Sequence, residues 1–384
     1  MKCIVARELC CGCSACFSIC PKKCIKMKED KNGFLYPVIY EEKCINCGLC
    51  KASCPIQNTY HKHENKLNKL KSYIAYNKNN SIRESSSSGG IFTALAECIL
   101  NDGGIVFGVV LDEQYKAVYM CVEKTEELWK LRGSKYMQSD MKNVYNEVKC
   151  FLNKGRKILF SGTACQIEGL KCFLKKDYDN LITVDVLCHG VPSPKVWMRY
   201  LEGQKKKNKG SIQNINFRDK STGWKDYSLK ISFDTTEYKN IYYRDNYMRM
   251  FISDICLRKS CYNCKFKELY RNSDITLGDC WEIDNIRPDE NDNLGVSIIL
   301  LHTRKGENIL KKIEKDLVLI EEDVEKIVPS NSDARKSVKE NPKRDKFFDK
   351  LNAGYSIDRL MKFVKPNILI RGINKMKYTL INKK

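Results

Sequence analysis

Cys10, Cys13, Cys16 and Cys20, followed by Pro21, read C-x2-C-x2-C-x3-C-P, and Cys44, Cys47, Cys50 and Cys54, followed by Pro55, repeat the pattern 34 residues later. Thiolates spaced this closely wrap three corners of an iron–sulfur cubane, while the fourth cysteine of each run crosses to the other cluster. The spacing therefore assigns Cys10, Cys13, Cys16 and Cys54 to one 4Fe-4S cluster and Cys44, Cys47, Cys50 and Cys20 to a second. A zinc ribbon would use C-x2-C pairs and has no need of two runs of four that end in proline. Cys3, Cys11 and Cys24 fit neither run and are expected to be small buried or spare thiols.

A further group lies far downstream. "CLRKSCYNCKF" places Cys256, Cys261 and Cys264 at C-x4-C-x2-C, one thiolate short of a complete set. Cys165 follows the strand-like "KILF" and the turn Ser161, Gly162 and Thr163, while Cys188 follows the strand-like "LITVDV". If the helix predicted between them, 164–175, is the crossover of a right-handed βαβ unit, the two strands are parallel and open on one edge. Neighbouring strands run about 4.8 Å apart, so both cysteines can serve one cluster. Cys188 could complete Cys256, Cys261 and Cys264, or Cys165 and Cys188 could join Cys261 and Cys264. The spacing leaves both sets open.

Other residues could hold an anion. In "SIRESSSSGGIFTALAECIL", Ile91, Phe92, Leu95, Ala96, Ile99 and Leu100 recur at helical spacing. That places Ser85, Ser86, Ser87, Ser88, Gly89 and Gly90 at a helix N-terminus, where amides and hydroxyls suit a phosphate or pyrophosphate. Arg132 and Lys135 in "LRGSKYMQSD" could reach an anionic ligand, or could line an ordinary solvated loop. Asp279 ends the predicted strand "DITL", where it could bond a cofactor or cap a turn. His61 and His63 sit in a charged stretch and are given no role.

The elements that must position these residues form an α+β chain: an N-terminal dicluster ferredoxin-like domain followed by a larger mixed α/β domain. Its 384 residues exceed one small core. The expected division is a ferredoxin-type domain over 1–60, a linker over 61–71 and a large domain over 72–345. The large domain splits into parts at about 72–150 and 151–345, and a basic tail follows over 346–384. "GFLYPVI" predicts a short edge strand in the head, and "SYIAYN", 104–110, 116–122 and "GVSIILLHT" predict strands of the large domain, the last followed by a helix.

Charge and compartment bound the partners. The net charge is +21, from 68 basic and 47 acidic residues. Three clusters at about −2 each would leave roughly +15. Arg359 to Lys384 carries eight basic residues and no acidic one, a stretch suited to an acidic partner or a membrane surface, or merely solvated. Nucleic-acid binding would rest on charge alone, without an RNA motif or a recognition helix. The N-terminus "MKCIVARELC" shows no apolar signal region and no run is long enough to span a bilayer, so a reducing cytoplasm is expected.

"SSSSGGIFTAL", "LRGSKYMQSD", "FSGTACQIEGL", "CHGVPSPKVW" and "CYNCKFKELYRNSDITLGDCW", in this order, resemble the coenzyme F420 hydrogenase/dehydrogenase beta-subunit family, in its bacterial form with an N-terminal dicluster ferredoxin. The resemblance covers most of residues 1–285. The family pattern has cysteines at the positions of Cys165, Cys188, Cys261 and Cys264 and usually none at Cys256, which favours the first four as ligands and leaves Cys256 in reserve. It also implies a flavin, usually FAD, with Ser86, Ser87, Ser88, Gly89, Gly90, Arg132, Lys135, Ser161, Gly162, Thr163 and Asp279 as candidate contacts. Ala164 stands where proline is usual, and Cys280 and Glu282 depart from "GDFWG", which bears on the ligand turn and the cofactor wall.

The function implied is a cytoplasmic iron–sulfur flavoprotein oxidoreductase. It would move electrons between ferredoxin-type clusters, a third cluster and a flavin that acts on an organic substrate the sequence does not identify. The alternative is an electron-transfer subunit that docks on a partner enzyme and has no substrate chemistry of its own. A ferredoxin-like donor or a partner subunit is the expected protein partner in either case. The family name is not taken as a substrate assignment, so use of coenzyme F420 stays open.

Overall fold

A computed structural model describes residues 4–58, 66–330, 332 and 334–364. In the head, β1 (Ile25–Glu29) and β2 (Leu35–Ile39) form an antiparallel hairpin in which Met27 faces Pro37. A two-stranded sheet is all edge, so the missing proline N–H costs no interior ladder bond. The Asp30 carboxylate closes the turn by accepting the amides of Asn32 and Phe34, each at 2.9 Å. Each cysteine run leads into a short helix, Ala15–Ile19 and Leu49–Ala52.

The large region is built on eight strands: β3 (Lys66–Asn77), β4 (Ile105–Leu111), β5 (Ala117–Val122), β6 (Ile158–Thr163) and β7 (Leu181–Val186) come first in the chain. Then β8 (Ile212–Asp219), β9 (Ser228–Phe233) and β10 (Glu237–Ile241) form a separate antiparallel sheet. The main sheet is completed by β11 (Ile275–Asp279), β12 (Ser297–Thr303) and β13 (Leu317–Glu321), in the order β13-β3-β12-β11-β7-β6-β4-β5. The run β4, β6, β7 and β11 is parallel. Such strands are buried on both faces and read as apolar runs, as Ile158, Leu159 and Phe160 do at 0% exposure.

Alternate residues of these strands feed different cores. Ile299 and Leu301 join Leu95, Ile99, Ile309 and Leu310 on one face, under the helices Ile91–Asn101 and Arg304–Ile313. Ile158 and Phe160 join Tyr145, Val148, Ile167 and Leu170 on another, under Val144–Asn153 and Ala164–Leu174. The predicted βαβ unit is present: β6 and β7 are parallel neighbours with Ser161 opposite Val184 and Thr163 opposite Val186.

Two boundaries differ from expectation. The linker expected to reach residue 71 gives way at Lys66, because β3 extends back, through extra residues of its own at 67–70, to pair Lys66 with Thr303 of β12. Nothing is described for 59–65, where His61 and His63 fall. The tail expected from 346 is folded as far as Val364: in Arg344–Asn352, Phe347, Phe348 and Leu351 share one face and are at most 1% exposed. Burying each phenylalanine is worth about 1.5–3 kcal/mol, and Phe348 meets Phe34 of the head with ring centroids 6.3 Å apart. Residues 365–384, with most of the basic stretch, lie outside the described residues.

Candidate functional site

The two cysteine loops of the head repeat in backbone as well as sequence. Gly12 and Ser14 have φ of 74° and 64°, and the residues at the same offsets in the second run, Asn46 and Gly48, have φ of 55° and 74°. Left-handed residues interleaved with ordinary ones turn successive N–H groups toward one concavity, a cradle that suits anions and iron–sulfur sulfurs. Cys10, Cys13, Cys16 and Cys54 line one cavity, and Cys20, Cys44, Cys47 and Cys50 line the other. These are the crossed sets expected from the spacing. Cys24, expected to be spare, lies in the second cavity with its sulfur 3.3 Å from that of Cys20.

Cys165, Cys188, Cys261 and Cys264 converge at the carboxyl ends of β6 and β7. Cys165 sits in the first turn of Ala164–Leu174, whose start is fixed by a capping box between Thr163 and Gln166. That box closes the turn with Ala164 where the family has proline. The Cys165 thiol lies 3.2 Å from the Thr163 hydroxyl, and its pKa is raised well above the ordinary range by hydrogen bonding to Cys11 and by burial. Burial raises Cys188 to about 12, helped by the Cys165 and Cys264 thiols, while Lys267 and Arg271 pull the other way. Burial also raises Cys261, with Cys188, Cys264 and Cys165 adding to it. Cys264 is raised by burial and by Cys165.

The Val191 amide donates to the Cys261 sulfur at 3.4 Å, and the Cys264 amide donates to the Ser337 hydroxyl at 2.9 Å. Cys256, the reserve ligand, is elsewhere: its thiol is fully buried in the aromatic core, near Asp254 and Arg344. Among the described residues no three His, Cys, Asp or Glu side chains crowd around a point for a single ion.

The head lies against this group. Cys11, also set aside as spare, lies among the Cys10, Cys13 and Cys165 thiols; its pKa is raised by Cys13, by burial and by Cys10, while Cys165 lowers it. A side chain on Gly169, in the middle of Ala164–Leu174, would come within 2.9 Å of the Cys13 sulfur and 2.8 Å of the Tyr145 hydroxyl. Glycine costs a helix interior about 1 kcal/mol relative to alanine. Here it lets the first cysteine loop approach the helix backbone.

The expected anion contacts share the same sheet edge with different fates. Gly90, at φ 82°, begins Ile91–Asn101 without a side-chain cap, which leaves first-turn amides for a ligand. The Ser87 hydroxyl accepts the Ser134 amide at 2.8 Å, Ser86 donates to the Ile82 carbonyl and Ser88 to that of Val296. Arg132 reaches Thr93 and Ser85 beside that turn. Lys135 turns inward: its ammonium donates to the carbonyls of Lys130, Leu131 and Arg132 at 2.7–3.2 Å, although burial pushes its pKa down to about 7. Ser161 donates to the Phe107 carbonyl, and a side chain on Gly162 would run into the Tyr119 hydroxyl. Asp279 is held by Arg218 at 3.1 and 3.2 Å and by the Trp224 indole at 3.0 Å, and so fixes the strand end next to Cys188.

Sequence reasoning missed Arg218, Lys220 and Arg258. Lys220 donates to the Arg83, Ser88 and Leu294 carbonyls and so ties the serine turn to the loop before β12. Lone basic residues carry no local spacing signal, although Arg258 lies inside the C-x4-C-x2-C stretch. Cys280, at 0% exposure, is a core residue beside Trp224, and Glu282 only begins the short helix Ile283–Ile286.

Twin cysteine cradles docked on an α/β sheet define an iron–sulfur electron-transfer protein. The chain belongs to the coenzyme F420 hydrogenase/dehydrogenase beta-subunit family, whose N-terminal part matches 72–146 and whose C-terminal part matches 155–327, after a 4Fe-4S dicluster domain at 9–58. It is 27% identical over 328 residues to the coenzyme F420-dependent sulfite reductase of Methanocaldococcus jannaschii, covering 84% of this chain and 49% of that protein. It thus spans about half the length of that curated relative. The head is 35% identical over 65 residues to a 7Fe ferredoxin of Hydrogenibacillus schlegelii, covering 17% of this chain and 76% of the ferredoxin. A chain of the F420-reducing NiFe hydrogenase complex of Methanosarcina barkeri aligns with a TM-score of 0.46 at 18% identity, over 78% of this chain and 91% of that one.

Proposed function

We propose that the chain is an oxidoreductase module that exchanges electrons between a redox partner protein and a phosphate-bearing, flavin-type cofactor at the carboxyl edge of the large sheet. Cys165, Cys188, Cys261 and Cys264 would hold a third 4Fe-4S cluster between that cofactor and the head. The observation that carries this reading is the close approach of the buried head loop, through Cys13, to Gly169 in the helix Ala164–Leu174 that carries Cys165. Bound clusters would supply one-electron steps and a true flavin would join them to two-electron chemistry, whereas a deazaflavin, which passes hydride only, would serve as that flavin's two-electron partner.

The chain's own residues supply placement and exclusion of water. The capping box of Thr163 and Gln166 aims Cys165, the Val191 amide supports Cys261, and Lys267 and Arg271 offset the charge gathered at Cys188 and Cys264. The uncapped turn at Gly90, with Arg132 beside it, would take the cofactor's phosphate. FAD and the deazaflavin F420 both carry such phosphate; the family description and the sulfite reductase both name F420, which favours the deazaflavin as the hydride partner of a bound flavin. A subunit with no substrate chemistry of its own is the second reading, favoured by the exposure of Cys47 and of Ile45 at 56%, where a partner can dock.

Anaerobically purified protein tests this with two arms. Acid extraction looks for FAD or FMN, and addition of reduced F420 looks for bleaching of the iron–sulfur absorbance. Release of flavin or bleaching by the deazaflavin is expected, with turnover only in the partner's presence if the second reading holds. A sample holding about twelve iron per chain that does neither sinks the proposal.

A further inference from the structure

Arg258 is 0% exposed, and its position is defined from both sides. From the head, its Nε donates to the Cys10 carbonyl at 2.7 Å, and its guanidinium carbon lies 4.0 Å from the centroid of the Tyr36 ring. A Cβ on Gly12 would stand 3.0 Å from its Nη1. From the large region, Nη1 donates to Gln138 Oε1 at 3.0 Å, and the same oxygen accepts the Leu35 amide of the head at 3.2 Å. Its backbone is tied to both thiol turns, since its N–H donates to the Val191 carbonyl and its carbonyl accepts the Cys261 amide, each at 3.0 Å.

One donor is left over. Among the described residues Nη2 is buried with no hydrogen-bond partner, and no ion pair joins a carboxylate to this guanidinium. Burying a cation without a counter-charge costs several kcal/mol unless negative charge lies close by. The Arg258 guanidinium also stands against the first cysteine loop, where a Cβ on Gly12 would lie 3.1 Å from its Cζ. Cys10 and Cys261, one from each proposed cluster site, are bonded to it through their backbones.

We propose that Arg258 is a positioning residue of the internal relay, its guanidinium fixing the spacing of the Cys10 and Cys261 loops and serving as counter-charge to the electrons held on both sides of it. The inference rests on the four-thiol reading for its second side only; the Cys10 side stands on the dicluster head alone. A fixed positive charge favours the more negative, reduced state, so both neighbouring sites are made easier to reduce. The Cys44 loop, where Cys47 is exposed and a side chain on Gly48 would meet nothing within 4 Å, makes no hydrogen bond or ring contact with Arg258 among the described residues and serves as an internal control.

The test is a potentiometric titration followed by EPR on the full chain, comparing wild type with Arg258→Met and Arg258→Lys after iron has been counted. In Arg258→Met the signals of the inner sites are expected at lower potential by at least a tenfold change in the reduced-to-oxidised ratio, about 59 mV for one electron, with the outer-site signal unmoved. Arg258→Lys is expected to stay closer to wild type. Unchanged inner potentials in an iron-replete Arg258→Met protein overturn the proposal, as does an equal shift of all signals. If Arg258→Met does not accumulate, Arg258→Gln, neutral but still able to donate to the Cys10 carbonyl, carries the same comparison. A wild-type count of about eight iron instead of twelve would identify failure of the third-site reading, leaving the Cys10 side to be judged on its own.

Discussion

The two cysteine loops of the head share a backbone and differ in surroundings. Around the first, Cys10 and Cys13 are 9% and 7% exposed, and Gly12 is pressed against Gln138 and Arg258. Around the second, Cys47 is exposed, and a side chain on Gly48 would meet nothing within 4 Å. Duplication thus made two equivalent cradles, and docking made them unequal: one faces the large sheet and the other faces solvent. That asymmetry gives the chain a direction, with the open loop suited to a partner and the buried loop to a neighbour inside the molecule.

Substitution at paired glycines measures the difference. Gly12→Ala and Gly48→Ala both place a Cβ at a left-handed residue, a cost of about 1–2 kcal/mol each. Gly12→Ala must also displace the Gln138 amide and crowd Arg258, adding about 1–3 kcal/mol of overpacking. Anaerobic denaturant titration should therefore find Gly12→Ala the less stable of the two. Equal losses would mean that the buried loop is not pressed on the large region.

A smaller effect sharpens the contrast at the opposite edge of the sheet, where burial comes with full compensation. Asp274 accepts the Thr183 amide and hydroxyl, both at 2.7 Å, and the Thr303 hydroxyl at 2.6 Å. Burial alone would raise its pKa, but Lys171, Lys305 and these hydroxyls hold it below the usual carboxylate range. A depressed folded pKa means that the unfolded chain binds the proton first. The stability is therefore present above the unfolded value of about 3.9 and lost as pH falls through the folded one. Asp274→Asn should be less stable than wild type near neutrality, with the two converging in acid. A gap that persists unchanged to the lowest pH would contradict this origin.

What the sequence disclosed follows the range of the interaction. The cysteine runs and the β6–β7 unit were legible because ligand spacing and apolar strands are local patterns. Cys11, Cys24 and Arg258 were not, because their roles arise where segments far apart in the chain meet: Arg258 reaches Cys10 across 248 residues. Lys135 looked available for an anion, yet its reach back to three carbonyls of its own turn takes up its charge. The fold beyond 346 was masked by its lysines, although Phe347, Phe348 and Leu351 had the spacing of a buried helix face.

The central claim is that the large sheet grips a cluster of its own beside the buried loop. Iron analysis with EPR on the Cys188→Ala, Cys261→Ala, Cys264→Ala triple variant tests it most directly. The account predicts a fall from about twelve to about eight iron per chain, with both head signals retained. Iron content and spectra indistinguishable from wild type would contradict it.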